Sequence, residues 1–116
     1  MQLANVPSRR LSSRVGVGEE VWVLWGSKGE EDVSRIKDLS TGGLFLQTTS
    51  VRPTGTSVRL HFLVQEGEIK AEGVVRHAKP GVGIGLKFLA LSEYGKPRLA
   101  ALLRRLRGLA QAREAS

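Results

Sequence analysis

The sequence predicts an all-β fold with one terminal helix, namely a six-stranded antiparallel β-barrel followed by a C-terminal amphipathic α-helix. Three observations predict it. Stretches that alternate apolar and polar residues recur from residue 19 to residue 91, and Gly or Pro stands at nearly every joint between them. The joints are too short for the helices of βαβ units. From residue 92 the apolar residues recur at helical spacing instead.

Six short stretches carry the strand pattern. Residues 58–64 show it clearly, because Val58, Leu60 and Phe62 occupy alternate positions, which predicts one face packed in a core. Turn-forming residues end most of the stretches. We therefore expect the barrel strands within residues 21–25, 32–37, 43–48, 58–64, 69–77 and 82–89.

Length and charge limit what the chain can be. Its 116 residues suffice for one domain with a single modest core. Lys plus Arg number 18 against 11 Asp plus Glu, giving a formal net charge of +7. This excess predicts an anionic partner, which charge alone leaves open between nucleic acid, nucleotide, acidic protein and lipid surface.

Several classes of protein find no support in the composition. The chain has no Cys, which excludes disulfides and thiolate metal sites. No apolar run approaches the roughly 18 residues of a membrane span, and the N-terminus lacks the charged start and apolar centre of a signal peptide. We expect a cytoplasmic protein without a membrane span.

The N-terminal region combines a tail with a basic arm. Residues 1–8 are expected to be a flexible tail, and the single domain is expected to cover residues 9–116, beginning with an arm at 9–18. Arg9, Arg10 and Arg14 place three guanidinium groups within six residues. They form either a solvated arm or an anion clamp, because guanidinium forks match phosphate oxygens in pairs and stack on base faces.

A polar turn lies between the third and fourth alternating stretches. Asp38 and Ser40 can bond to nearby backbone N–H groups, and Gly42 and Gly43 permit positive φ or close approach by another molecule. The pattern is typical of a tight hairpin turn, with or without a ligand.

Residues 92–113 are expected to form the C-terminal helix. Ser92 suits a cap and Pro97 suits a first turn. An apolar stripe on one side predicts that the helix packs on the barrel, with its arginines in solvent. The stripe consists of Leu99, Leu102, Leu103, Leu106 and Leu109.

Catalytic and metal-binding patterns find little support. Ser40 has no His and Asp partners near it in the sequence, and the two histidines, His61 and His77, lie in ordinary alternating stretches. No phosphate-binding GxxxxGK[ST] loop is present. We expect a protein that is not an enzyme and holds no metal or cofactor.

Three motifs in order resemble the PilZ domain family. They are Arg10-x-x-x-Arg14, then Asp38-x-Ser40-x-x-Gly43, then a Gly-x-Gly-x-x-Phe segment at 83–88 that leads through Leu-Ser to a terminal helix. The resemblance spans about residues 9–106 and implies a stand-alone domain. It further implies a six-stranded barrel that binds the bacterial second messenger cyclic di-GMP and relays its level to a downstream protein.

The resemblance also implies the binding residues. Arg10 and Arg14 correspond to the arginines of the flexible arm. A basic residue before this motif, here Arg9, accompanies an intercalated ligand dimer in the family. Some members place a Trp close to the guanine where this chain has Arg76 and His77. Gly42 joins the site because the turn brings its backbone within reach of a ligand. The expected site consists of Arg9, Arg10, Arg14, Asp38, Ser40, Gly42, Gly43, Arg76 and His77.

Two alternatives stay open. One is a small basic barrel that binds nucleic acid, although aromatic residues, which single-strand binders use for stacking, form only 5% of the chain. The other is a PilZ-like interaction module that binds no nucleotide. The sequence leaves the oligomeric state open.

Overall fold

The structure is a computed structural model that describes residues 15–17, 20–27, 29–50 and 52–115. The predicted tail and the three arm arginines, Arg9, Arg10 and Arg14, lie outside the described residues. The described part contains seven strands and one helix. They are β1 (Val15–Gly16), β2 (Trp22–Ser27), β3 (Glu30–Leu39), β4 (Gly43–Gln47), β5 (Ser57–Leu63), β6 (Ile69–Lys79), β7 (Gly83–Leu91) and α1 (Gly95–Ala115).

Six of the strands form a closed antiparallel barrel, as predicted. Their order is β3-β2-β5-β6-β7-β4, and β4 pairs back onto β3 to close the sheet. The two-residue β1 pairs with β3 along the same edge as β2. Two backbone hydrogen bonds join the segment between them to β3. The N–H of Val17 donates to the carbonyl of Lys37, and the N–H of Ile36 donates to the carbonyl of Val21. β1 therefore prolongs the first barrel strand, within the region predicted as arm.

The core is lined by the inward-facing residues of the strands. Val58, Leu60 and Phe62 of β5 are buried, as their spacing predicted. Trp25 of β2 is fully buried, and its indole N–H donates to the hydroxyl of Ser34 at 2.8 Å. Satisfying that N–H inside the barrel removes the cost of burying it alone.

The helix covers the end of the barrel at which the β5–β6 turn lies. Leu99, Leu102, Leu103 and Leu106 are buried in the core, as predicted, whereas Leu109 of the same stripe is 41% exposed. α1 begins three residues later than expected, because residue 92 acts as the cap.

The first turn of α1 is held at the barrel by polar contacts. The hydroxyl of Ser92 accepts from the N–H of Gly95 at 3.0 Å, and the guanidinium of Arg98 donates to the carbonyl of Glu68 at 2.9 Å. No helix of the described residues is both long and apolar enough to cross a membrane.

An ion pair fixes the middle of α1. Two guanidinium nitrogens of Arg105 donate to the carboxylate of Glu66, at 2.6 and 3.1 Å. Both side chains are largely buried. The hydrogen bond from Arg105 lowers the pKa of Glu66 despite the opposing effect of burial.

Candidate functional site

The turn between β3 and β4 is built around the hydroxyl of Ser40. That hydroxyl accepts from the N–H groups of Gly42 and Gly43, at 3.1 and 3.2 Å, and donates to the carbonyl of Gly43 at 3.3 Å. The backbone N–H of Ser40 also donates to that carbonyl, at 2.9 Å. These side-chain bonds use the proton and both lone pairs of the hydroxyl. Ser40, which is only 5% exposed, therefore organises the turn from inside.

Gly43 is required by close approach rather than by positive φ. A Cβ at this position would overlap the carbonyl oxygen of Leu86 on the neighbouring strand. The carbonyl of Gly42 accepts from the N–H of Phe88 at 2.8 Å, whereas a Cβ on Gly42 would meet nothing closer than the Ser40 hydroxyl at 3.8 Å. The turn is thus hydrogen bonded to β7, and only its second glycine is sterically fixed.

A β-bulge in β3 directs Asp38 outward. Ile36 pairs with Leu46 and Asp38 pairs with Phe45, so Lys37 is an extra residue without its own partner. In a regular strand Asp38 would face inward, on the side of Ile36. The bulge instead leaves both Lys37 and Asp38 on the outer surface.

A second bulge acts in the same way on β6. Val75 pairs with Leu86 and His77 pairs with Gly85, which leaves Arg76 as the extra residue. Arg76 and His77 are both exposed. The two residues predicted as one part of the site therefore share the outer surface with Asp38.

The bulges align five positions in one transverse row across the barrel. Gly16 pairs with Asp38, Asp38 with Phe45, Phe45 with Gly85, and Gly85 with His77. The rings of Phe45 and His77 stack at a centroid distance of 6.1 Å with an interplanar angle of 27°. The row is thus a carboxylate followed by two neighbouring rings.

The Gly-x-Gly motif of β7 makes room for those rings. A Cβ at Gly83 would overlap the carbonyl oxygen of Leu46 and lie 2.6 Å from Cε2 of Phe45, and a Cβ at Gly85 would overlap the imidazole of His77. Sequence reasoning missed Phe45. The signal that could have found it is the pair of strand glycines, which mark a place where something lies close to the backbone.

The outer surface around the row, named here the basic face, is rich in cations. It is formed by β3 from Arg35, by β4, by β7 from Gly83 to Lys87, and by β6 from Arg76. Among the described residues of this face, Asp38 is the only acid. The cationic side chains of the basic face are Arg35, Lys37, Arg76, Lys79 and Lys87.

The arm joins the barrel beside Asp38. Val15, the residue after Arg14 in the sequence, pairs with Leu39, and Gly16 pairs with Asp38. The described residues thus place the point where the arm enters the barrel at one end of the transverse row.

The described residues offer no arrangement that would support a catalytic or metal site. Among the residues that the structure describes, no three His, Cys, Asp or Glu side chains cluster as a metal site would require. The imidazole of His61 lies 3.6 Å from the carboxylate of Glu68, and that of His77 lies on the basic face against Phe45. Ser40 shows no hydrogen bond to either histidine.

Known structures share this fold. The chain superposes on the PilZ domain of YcgR from Escherichia coli, described with c-di-GMP, with a TM-score of 0.73 at 15% identity, covering 93% of this chain and 98% of that one. It also superposes on the MrkH–c-di-GMP complex of K. pneumonia with a TM-score of 0.72 at 21% identity, covering 88% of this chain and 54% of that one. A third match is the inhibitor of motility MotI/DgrA of Bacillus subtilis, with a TM-score of 0.64 at 20% identity, covering 83% of this chain and 51% of that one. The chain therefore spans about half the length of the last two.

Sequence comparison identifies the family directly. No curated protein matches the chain closely enough to count as a relative. The model of the PilZ domain matches residues 8–105, which is most of the sequence. The chain belongs to the PilZ domain family.

Proposed function

We propose that the protein is a receptor for cyclic di-GMP and that the nucleotide binds on the basic face. The observation that carries the proposal is the transverse row, in which Asp38, Phe45 and His77 stand side by side among cations. Two of the superposed structures are described as holding c-di-GMP. The proposed role is that of a receptor rather than an enzyme.

The row matches the chemistry of this ligand. A guanine displays the adjacent donors N1–H and N2–H₂, which a carboxylate such as that of Asp38 can accept together. The row crosses three interstrand spacings from Asp38 to His77, or about 14 Å. One guanine at Asp38 therefore leaves space for the phosphates toward Arg76 and His77.

Ser40 and the glycines of the turn contribute in two ways. The bonds of the Ser40 hydroxyl inside the turn support a positioning role, because they hold the backbone next to Asp38 in place. Direct contact of Ser40, Gly42 and Gly43 with the ligand stays a prediction. The absence of side chains at the glycines favours close approach of a base.

The arm is the second part of the proposed site. We propose that Arg10 and Arg14 close over a ligand on the basic face, with paired guanidinium donors to its phosphates. In this proposal closure is favoured only when nucleotide is bound, because the arm arginines then gain phosphate contacts. Arm position therefore reports the nucleotide level to a downstream protein.

The proposal also specifies how many cyclic di-GMP molecules bind to each chain. A third guanidinium, that of Arg9, suits the four phosphates of an intercalated cyclic di-GMP dimer, because concentrated negative charge needs nearby cations. We expect two nucleotides per chain, and we expect Arg9→Leu to shift the ratio toward one. A wild-type ratio of one would contradict the dimer, and one nucleotide per two chains would indicate a shared site.

Isothermal titration calorimetry tests the receptor itself. The wild-type protein is titrated with cyclic di-GMP, with GTP and with a single-stranded oligonucleotide, each at several salt concentrations. Saturable binding of cyclic di-GMP alone supports the receptor. Binding of all three anions with a steep salt dependence would instead indicate a nucleic-acid-binding barrel, the role that the cations of the basic face also favour.

A further inference from the structure

We propose that Lys37 and Lys79 form a second phosphate-binding site on the outer wall of the barrel. This inference rests on the proposed function, since it assigns phosphates of the same ligand to these two ammonium groups.

The two lysines converge on one ring from different strands. Nζ of Lys37 in β3 and Nζ of Lys79 in β6 each lie 5.9 Å from the ring centroid of Phe45. Lys37 is the bulged residue that precedes Asp38. Lys79 pairs with Gly83, two residues along both strands from the pair of His77 and Gly85.

Phe45 restricts both ammonium groups before any ligand arrives. The ring is only 7% exposed, and Gly83 lets it lie close to the backbone of β7. An ammonium held over a ring by cation–π attraction has fewer rotamers to lose on binding than a free lysine has. The wall therefore presents cations whose positions are partly fixed.

Neither lysine is neutralised by its surroundings. Within the described residues, no carboxylate lies within ion-pair distance of Lys37 or Lys79, whereas Lys70 on β6 has Glu68 at 3.6 Å. An ammonium is a compact charge with three donors, which suits a phosphate oxygen rather than the flat face of a base. Unpaired cations beside a guanine-accepting carboxylate fit a guanine nucleotide whose phosphates lie across Phe45.

A purely structural role for the lysines makes a different forecast. If they only cover Phe45, their removal lowers stability and leaves nucleotide affinity unchanged. If they bind phosphate, affinity and its salt dependence change in the folded protein. Melting curves measured beside titrations separate the two.

The test compares Lys37→Gln, Lys79→Gln and the double variant by calorimetry with cyclic di-GMP at several salt concentrations. Lys96→Gln is the matched control, because Lys96 is exposed on α1 and its loss changes the net charge equally. We expect each single variant to weaken binding about 3- to 10-fold. The slope of log affinity against log salt should fall by about one per lysine. Lys96→Gln should stay within about 2-fold of wild type.

Phe45→Leu tests the positioning of the ammonium groups without changing charge. It should weaken binding by about 2- to 4-fold, with the salt slope of wild type retained. Lysine variants that bind like Lys96→Gln would overturn the inference and leave the receptor intact. A wild-type protein that binds no cyclic di-GMP would overturn the proposed function and this inference with it.

Discussion

The two sides of the barrel differ in how their strands are paired. On the side formed by β2 and β5 the ladder runs without a break from Trp22 opposite Leu63 to Gly26 opposite Arg59. Along β5, buried residues alternate with exposed or half-buried ones throughout. The basic face instead contains two bulges, at Lys37 and at Arg76, each of which turns two consecutive side chains outward.

The charge of the two sides differs accordingly. The side opposite the basic face exposes apolar residues such as Trp22 and Leu63 and carries carboxylates such as those of Glu31 and Glu72. Among the described residues the basic face carries one carboxylate, that of Asp38. A register shift also occurs outside the basic face, where Leu89 of β7 is an extra, exposed residue opposite Glu72 and Gly73. Bulges therefore turn extra side chains outward on both sides of the barrel. Only on the basic face are those side chains polar, which suits this face to binding an anionic ligand.

The largest expected effect comes from closing the space behind the turn. Gly43→Val places a side chain against the carbonyl of Leu86, and we expect it to destabilise the barrel by about 3 kcal/mol or more and to abolish binding. Gly42→Ala is the control for stability, since its Cβ has room. Thermal melting of both variants measures the difference, and equal melting temperatures would contradict the close packing at Gly43.

Next in size is the loss of an arm arginine. Arg10→Ala and Arg14→Ala should each weaken cyclic di-GMP binding by about 2–3 kcal/mol, or about 30- to 150-fold, because each removes a charge-assisted contact. Arg59→Ala is the matched control, as Arg59 is an exposed arginine on the side opposite the basic face. The affinities are measured by calorimetry. If an arm variant binds cyclic di-GMP as tightly as Arg59→Ala does, the arm arginine replaced in it is not part of the site.

A smaller effect separates Asp38 from Ser40. Asp38→Ala should reduce affinity by about 1–3 kcal/mol with little change in melting temperature. Ser40→Ala leaves the N–H groups of Gly42 and Gly43 without their side-chain acceptor. It should therefore cost about 1–2 kcal/mol of stability and reduce affinity less than Asp38→Ala. The opposite pattern, with Ser40→Ala stable but unable to bind, would show that the hydroxyl contacts the ligand directly.

The smallest effect concerns the ion pair between α1 and the β5–β6 turn. The hydrogen bond from Arg105 lowers the folded-state pKa of Glu66, so its stabilisation is present above the ordinary carboxyl pKa and is lost as pH falls through the lowered value. Glu66→Gln should cost about 1 kcal/mol at neutral pH and almost nothing in strong acid, with affinity unchanged. Melting curves at both pH values test this, and a pH-independent difference would refute it.

Much of the fold follows from periodicity. The barrel strands, the buried face of β5 and the cap at Ser92 could all be predicted, because alternation, turn residues and capping chemistry are local properties of the sequence. Leu109 was assigned to the packed stripe by spacing, yet it is exposed. Spacing places a residue on a face of the helix, and says nothing of whether the barrel extends under it.

The geometry of the site depends on bulges and on strand register, which the periodicity of the sequence does not reveal. A bulge inserts one residue into a pattern of period two, so alternation alone would direct Asp38 inward. The proximity of Phe45 to His77 depends on the register of three strands that are far apart in sequence. Motif order therefore indicated the candidate residues, and cross-strand pairing was needed to bring them together.

The most direct test of the account is to map the bound nucleotide on the wild-type protein by NMR, using the amide signals of its glycines. Saturating cyclic di-GMP should shift the signals of Gly83 and Gly85 on the basic face and of Gly42 in the adjoining β3–β4 turn. The signals of Gly26 and Gly67 should stay unchanged. Shifts at Gly26 and Gly67 with Gly83 and Gly85 unmoved would place the nucleotide elsewhere and contradict the assignment of the basic face as the site.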